Sequence, residues 1–191
     1  MGRILGSIQT KLRDRAWLWL AIALLILFII GLAIRLYDLT EMPFDFHPTR
    51  QLRSALIARG IYNEWLEDTP EWKREMALLQ RESQEVLEPQ VTELIVATMY
   101  WMTGGERLWI GRLLSIFFWM VGTVGLYVLV REMSTPAGGL AAVAFYLLAP
   151  FAIQASRSFQ PDPLMISLLI FSLLLYIAGS VRRNLGGDGP C

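Results

Sequence analysis

The stretch "AWLWLAIALLILFIIGLAI", residues 16–34, carries no charge and no proline. As a helix of about 19 residues rising 1.5 Å each, it reaches roughly 28 Å, enough to cross a hydrocarbon core of about 30 Å. A chain containing such a segment has few folds open to it. Inside lipid no water satisfies backbone N–H and C=O groups, so only helices and closed barrels can span. A secretory signal peptide is the rival reading. It fits poorly, because the apolar part is long and no small-residue cleavage site follows. Arg35 and Tyr37 follow instead, and both side chains suit a membrane interface. Composition agrees: 54% of the residues are hydrophobic and the mean hydropathy is +0.44, outside the range of ordinary soluble domains.

Three further stretches are long and apolar enough to span: 108–130, 137–153 and 164–181. A shorter one, 90–103 ("QVTELIVATMYWMT"), carries Glu93 and ends before Gly104-Gly105. At about 14 residues it reaches only about 21 Å. Charge sets the expected topology. The basic segment 1–15 should be cytoplasmic, and so should "VRRN" at 181–184. Two ends on one side require an even number of crossings, so 90–103 is expected to be interfacial or re-entrant. The expected fold is an all-α integral membrane protein with four transmembrane helices and amphipathic or re-entrant helices in a long first outer loop. In order these are a cytoplasmic segment 1–15, span one over 16–36, an outer loop 37–107 with interfacial helices near 50–66 and 90–103, span two over 108–130, span three over 137–153, an outer loop 154–163, span four over 164–181, and a cytoplasmic tail 182–191. The setting expected is the plasma membrane, multi-pass, with membrane lipids as solvent.

Formal net charge is zero, so no global basic field for nucleic acid exists. The single cysteine, Cys191, permits no disulfide within the chain and no thiolate metal site. The tail "NLGGDGPC" reads as linker, and the expectation is a chain cut from a longer one. In the outer loop, Leu52, Leu56, Ile57, Ile61 and Trp65 fall near helical spacing, whereas 71–88 is strongly charged and would form a solvated helix or one lying along the headgroups.

No Walker A loop, GxGxxG, HExxH or CxxC occurs. The candidate chemistry lies in polar groups at the outer rim. In "FDFHPTRQLRSALIARG", 44–60, Thr49 or Asp45 could cap a helix while the arginines meet lipid headgroups. The sharper alternative has Arg50 or Arg53 gripping a phosphate through paired guanidinium donors, with Asp45 or His47 accepting a proton. In "SRSFQPDP", 156–163, Arg157 and Asp162 flank a Pro-bearing turn between two spans. The plain reading is an interfacial Arg and an Asp capping span four. Ionisable groups converging on one rim of a bundle make a site the alternative. Arg107 reads as an interfacial anchor, and Arg112, about one turn deeper, should face protein or the site. Tyr100, Trp101 and Trp109 read as an aromatic belt, and Gly122 and Gly125 as close helix packing.

Three segments in order carry a resemblance: "HPTRQLRSALIARGIY", then "EP…WMTGGERLWIGRLLSIFFWMVGTVGLYVLVRE", then "LLAPFAIQASRSFQPDPLM". Together they resemble the N-terminal part of a GT-C membrane glycosyltransferase of the glycosyltransferase family 39, dolichyl-phosphate-mannose protein mannosyltransferase-like group. The resemblance implies inverting transfer of a sugar from a polyprenyl-phosphate donor to the hydroxyl of a glycan, lipid or protein acceptor at the outer membrane face. It implies carboxylate candidates Asp162 and Asp45, and donor-phosphate ligands among Arg50, Gln51, Arg112, Arg157 and His47. It implies no required cofactor, with a divalent metal left open. Arg53 stands where that branch carries an acidic residue, and Gln90-Val91 where it carries Pro-Leu. The alternative is a non-catalytic membrane scaffold or accessory subunit with a degenerate glycosyltransferase fold. A transporter or flippase ranks last, because the spans keep their charges at the ends.

Overall fold

The structure is a computed structural model describing residues 2–44, 46–85 and 88–186, with side chains of 15–180 within those segments. Asp45 and Cys191 therefore lie outside the described residues, as does the 187–191 part of the tail. Eight helices and no strand occur among the described residues: α1 (Gly2–Leu36), α2 (Pro48–Trp65), α3 (Glu71–Glu82), α4 (Val91–Thr103), α5 (Leu108–Met133), α6 (Pro136–Leu148), α7 (Pro150–Arg157) and α8 (Asp162–Gly186). Three helical segments are long and apolar enough to cross a membrane: Arg15–Leu36, Leu108–Met133 and Asp162–Ser180. The α6–α7 pair becomes a fourth if its two arms count as one span, although they meet at 63°. The molecule is an all-α, multi-pass membrane protein.

α5 is the central element. Its middle packs with α6, α7 and α1 around Ile116, Trp119, Met120, Val143, Leu147 and Ala152. Its first turns pack with α2 and α4 around Ile57, Ile61, Tyr62, Val96, Tyr100 and Ile110. α8 lies close along α5 because Gly122 and Gly125 have no side chains: a Cβ on Gly125 would sit 3.1 Å from Ile170. The outward faces of α1 and α8 remain apolar, with Leu25, Ile26, Ile29, Leu168, Leu169 and Leu175 exposed. In hydrocarbon such faces cost nothing.

The stretch 137–153, expected as one helix, is two. Pro150 has no N–H and disfavours helical backbone at Ala149, which is extended (φ −61°, ψ 131°). The second arm runs on to Arg157, into what was expected to be loop. A break at this depth frees carbonyls that lipid cannot satisfy, and neighbouring helices take them. Arg35, fully buried at the end of α1, donates from Nη1 to the Leu147 carbonyl at 3.0 Å and from Nε to Ser156 Oγ at 2.7 Å. Trp119 Nε1 donates to the Tyr146 carbonyl at 3.3 Å and its ring stacks on Tyr146.

Among the outer helices, α2 also departs from expectation. The apolar period placed Leu52, Leu56, Ile57, Ile61 and Trp65 on one face. Trp65 is exposed, and the buried set is instead Gln51, Ser54, Ala55, Ile57, Ala58, Gly60, Ile61, Tyr62 and Asn63. α2 is held between α3 and α4, and close approach on two sides selects small residues. A Cβ on Gly60 would lie 2.6 Å from Arg81 of α3. Thr49 is not the cap: the residue before the helix is His47, and Pro48 fills the first helical position. Tyr100 is not part of a belt; it is 1% exposed and meets Tyr62 edge to face. α4, at 13 residues, ends at Gly104, whose positive φ of 68° closes the helix.

Candidate functional site

Arg50 lies in the first turn of α2, and Asp162 begins α8. Distant in sequence, they meet: Arg50 Nη1 is 3.3 Å from Asp162 Oδ2, and Nη2 is 3.1 Å from Glu88 Oε1. Both carboxylates and the guanidinium are partly open to solvent. A narrow cleft beside them is lined by Arg50, Arg53, Ser54, Glu88, Glu93 and Pro161 among others. One end of the outer helices thus gathers two cations and three carboxylates, next to the start of α8, itself long and apolar enough to span.

The remaining expected residues make contacts of their own. Gln51, 1% exposed, donates to the Phe46 carbonyl at 2.5 Å and accepts from the Phe159 N–H at 3.2 Å. It ties the start of α2 to the loop before α8, and so holds Arg50 opposite Asp162. Arg112, also buried, donates from Nη1 to the carbonyls of Glu41 at 2.8 Å and Leu39 at 3.5 Å. It faces protein, where it fastens the α1–α2 connection to α5. Arg157 donates to the Tyr37 carbonyl at 2.5 Å, at the end of α1. The pair Arg157 and Asp162 is therefore divided between two anchors. His47 is exposed, edge to face with Phe46 at 4.4 Å, and takes a left-handed conformation (φ 45°, ψ 58°). His tolerates that region better than branched residues, at some cost in strain.

Sequence reasoning left Glu88 and Glu93 out of the site. Glu88-Pro89 reads as a helix start and Glu93 as one charge in a short apolar helix. Only the packing of α4 against α2 brings both beside Arg50. A second ionic cluster stands apart. Glu106, just before α5, forms ion pairs with Arg59 and Lys73, each at 3.0 Å, and accepts from Asn63 at 2.9 Å. Burial raises the Glu106 carboxyl pKa, but hydrogen bonds from Asn63 and Lys73 and the charges of Arg59 and Lys73 outweigh it, so the net direction is down. Between α2, Tyr100 and Leu108 runs a mostly apolar groove of about 410 Å³, with Arg59, Glu106 and Arg107 also on its walls. No group of three or more metal-ligating side chains occurs among the described residues.

No curated protein and no solved structure matches the chain. A family model does, across residues 88–186, from Glu88 at the cleft through the whole of α8 and over just over half of the sequence. It takes in Glu93, Arg112, Arg157 and Asp162, while Arg50 and Gln51 precede it. A set of membrane helices with ionisable groups gathered at one end of α8 is what this match accounts for, and the chain belongs to the dolichyl-phosphate-mannose-protein mannosyltransferase family, a group of GT-C-type membrane glycosyltransferases.

Proposed function

We propose that the protein takes part in inverting transfer of a sugar from a polyprenyl-phosphate donor to an acceptor hydroxyl, at the membrane face opposite its basic N-terminus. The observation that carries this reading is the Arg50–Asp162 contact with Glu88 beside it. A lipid-borne phosphate rests at the level where a span ends, and the cluster lies where α8 begins. Guanidinium groups match phosphate oxygens and offset the charge that develops as phosphate leaves. Carboxylates can take the acceptor's proton. The mostly apolar groove beside Tyr100 suits a prenyl chain. The family's name supports dolichyl-type phosphate as the carrier and mannose as the first sugar to try. The resemblance implies Asp45 and Asp162 as carboxylate candidates and His47 as a donor-phosphate ligand.

A non-catalytic scaffold is the second reading. It is favoured by the use of Gln51, Arg112 and Arg157 as ties to backbone groups. The test is release of polyprenyl phosphate from polyprenyl-phosphate mannose by the complete native protein in proteoliposomes supplied with a membrane extract as acceptor. Turnover that Arg50→Ala abolishes without loss of folding supports transfer. Donor binding without turnover selects the scaffold.

A further inference from the structure

We propose that Glu93 is the residue that takes the proton from the acceptor hydroxyl, a role that rests on the glycosyl-transfer reading above. Glu93 lies in the first turn of α4, where the helix dipole favours negative charge. It is 5% exposed yet lines the cleft with Arg50, Arg53 and Glu88. A carboxylate so placed needs hydrogen bonds, and it has one to each oxygen. Ser54 Oγ donates to Oε1 at 2.8 Å, and Thr92 Oγ1 donates to Oε2 at 2.9 Å. Both donors are neutral. A carboxylate offers about four lone-pair sites, so acceptor capacity remains.

The three carboxylates near Arg50 differ in partner. Glu88 and Asp162 both pair with the Arg50 guanidinium. A carboxylate whose charge is already offset by a guanidinium has less pull on an approaching proton. Glu93 has no cation within ion-pair distance among the described residues. Arg53, on the same cleft, has no carboxylate of the described residues within that distance either. The cleft also selects by size. It has room for about 20 Å³, little more than one water-sized group. A hydroxyl can enter; a sugar ring stays outside, near Arg50 and Arg53.

The acceptor O–H proton passes to a Glu93 oxygen. The acceptor oxygen forms its bond to the anomeric carbon as the bond from that carbon to the lipid phosphate oxygen breaks. The electron pair leaves on the phosphate, whose added charge faces Arg50 and Arg53. The proton later passes from Glu93 to solvent.

The experiment compares Glu93→Gln, Glu93→Asp and Ser54→Ala in the complete native protein. Each is assayed with polyprenyl-phosphate mannose and membrane extract, and for binding of polyprenyl phosphate alone. Glu93→Gln keeps the shape and should lower turnover about 100-fold or more while binding changes less than threefold. Glu93→Asp keeps the carboxylate and should recover part of the rate, along with the acidic limb of the pH–rate profile that Glu93→Gln loses. Ser54→Ala removes only a donor and should cost less than tenfold. A folded Glu93→Gln protein that turns over at more than a third of the wild-type rate overturns the role. So does a Ser54→Ala loss as large as that of Glu93→Gln, which marks a mere tie between α2 and α4. Should Glu93→Gln not fold, Glu93→Asp decides: turnover more than threefold below wild type with polyprenyl-phosphate binding unchanged supports the role, and turnover within threefold of wild type overturns it. A wild-type protein that neither binds nor consumes the donor overturns the glycosyl-transfer reading itself, a result distinct from an active wild type with an active Glu93→Gln.

Discussion

Arg50 Nη1 stands 3.3 Å from Asp162 Oδ2, joining the first turn of α2 to the first residue of α8. With 43% and 31% of the two side chains exposed, the pair is a poor source of stability. Exposed ion pairs contribute about 0.2–1 kcal/mol. Arg50→Ala and Asp162→Asn should each change unfolding free energy by about 1 kcal/mol or less, with a coupling energy of similar size in the double mutant. Release of polyprenyl phosphate should nevertheless fall about 100-fold in each. Denaturation in detergent alongside the transfer assay separates the two effects. A large stability loss with unaltered turnover would make the contact a structural clamp.

Gly111 of α5 is where the loop before α8 touches down. A Cβ there would lie 2.4 Å from the Phe159 ring. The ring cannot easily give way, because Phe159 is 3% exposed and its N–H is held by Gln51 Oε1. Overpacking of this kind costs about 1–3 kcal/mol. Gly111→Ala should lower thermal stability accordingly and displace Asp162 from Arg50, with weaker donor binding as the readout. Gly105→Ala is the control, since nothing lies within 4 Å of its added Cβ; it should change neither.

The sequence marked the long apolar helices because uncharged runs leave a chain few options in lipid. Arg50 and Asp162 were also legible, since polar groups beside such runs need a reason to be there. The break at Ala149 was not: one proline in an apolar run is tolerated where neighbours take the freed carbonyls, and the neighbours here, Arg35 and Trp119, come from other helices. The full buried face of α2 was not legible because hydrophobic period reports apolar surface, whereas contact on two sides depends on small residues such as Ser54, Ala58 and Gly60. Glu93 was passed over for a similar reason. Its place in the cleft depends on the packing of α2 on α4, which no local pattern encodes. Arg112 was read as facing either protein or phosphate, and its bonds to Leu39 and Glu41 place it against protein.

Arg35 tests how the break is held. Arg35→Met removes the donor to the Leu147 carbonyl and the bond to Ser156, but also a buried cation. The lost bonds destabilise and the lost charge relieves a desolvation cost, so global stability reports a contest. The local effect has one sign. An orphaned buried carbonyl costs about 1–3 kcal/mol, and that cost falls on the junction of α6 and α7. Amide hydrogen exchange over 150–157 should quicken about tenfold or more in Arg35→Met, with exchange in the middle of α5 unaltered. Arg35→Lys, which keeps a charged donor, should fall between. Equal exchange in all three proteins would mean that the break holds without Arg35.

Glu106 gives the outer helices a dependence on pH. Its carboxyl pKa lies below the ordinary value of 4.5 in the folded protein, since hydrogen bonds from Asn63 and Lys73 and the charges of Arg59 and Lys73 outweigh the opposing effect of burial. Between the folded and unfolded pKa values the unfolded chain binds more protons, so stability rises with pH there. The contribution is fully present above about 4.5 and is lost as pH falls through the lowered folded value. Other carboxylates titrate in the same range, so the comparison must be with Glu106→Gln. The difference in stability between the wild-type protein and Glu106→Gln should be constant from pH 8 to about 5 and shrink steadily below it. Hydrogen exchange in α2 and α3 should show the loss first, because Asn63, Arg59 and Lys73 lie there. A difference that grows on acidification would place the Glu106 pKa above 4.5 and reverse the balance between burial and its three partners.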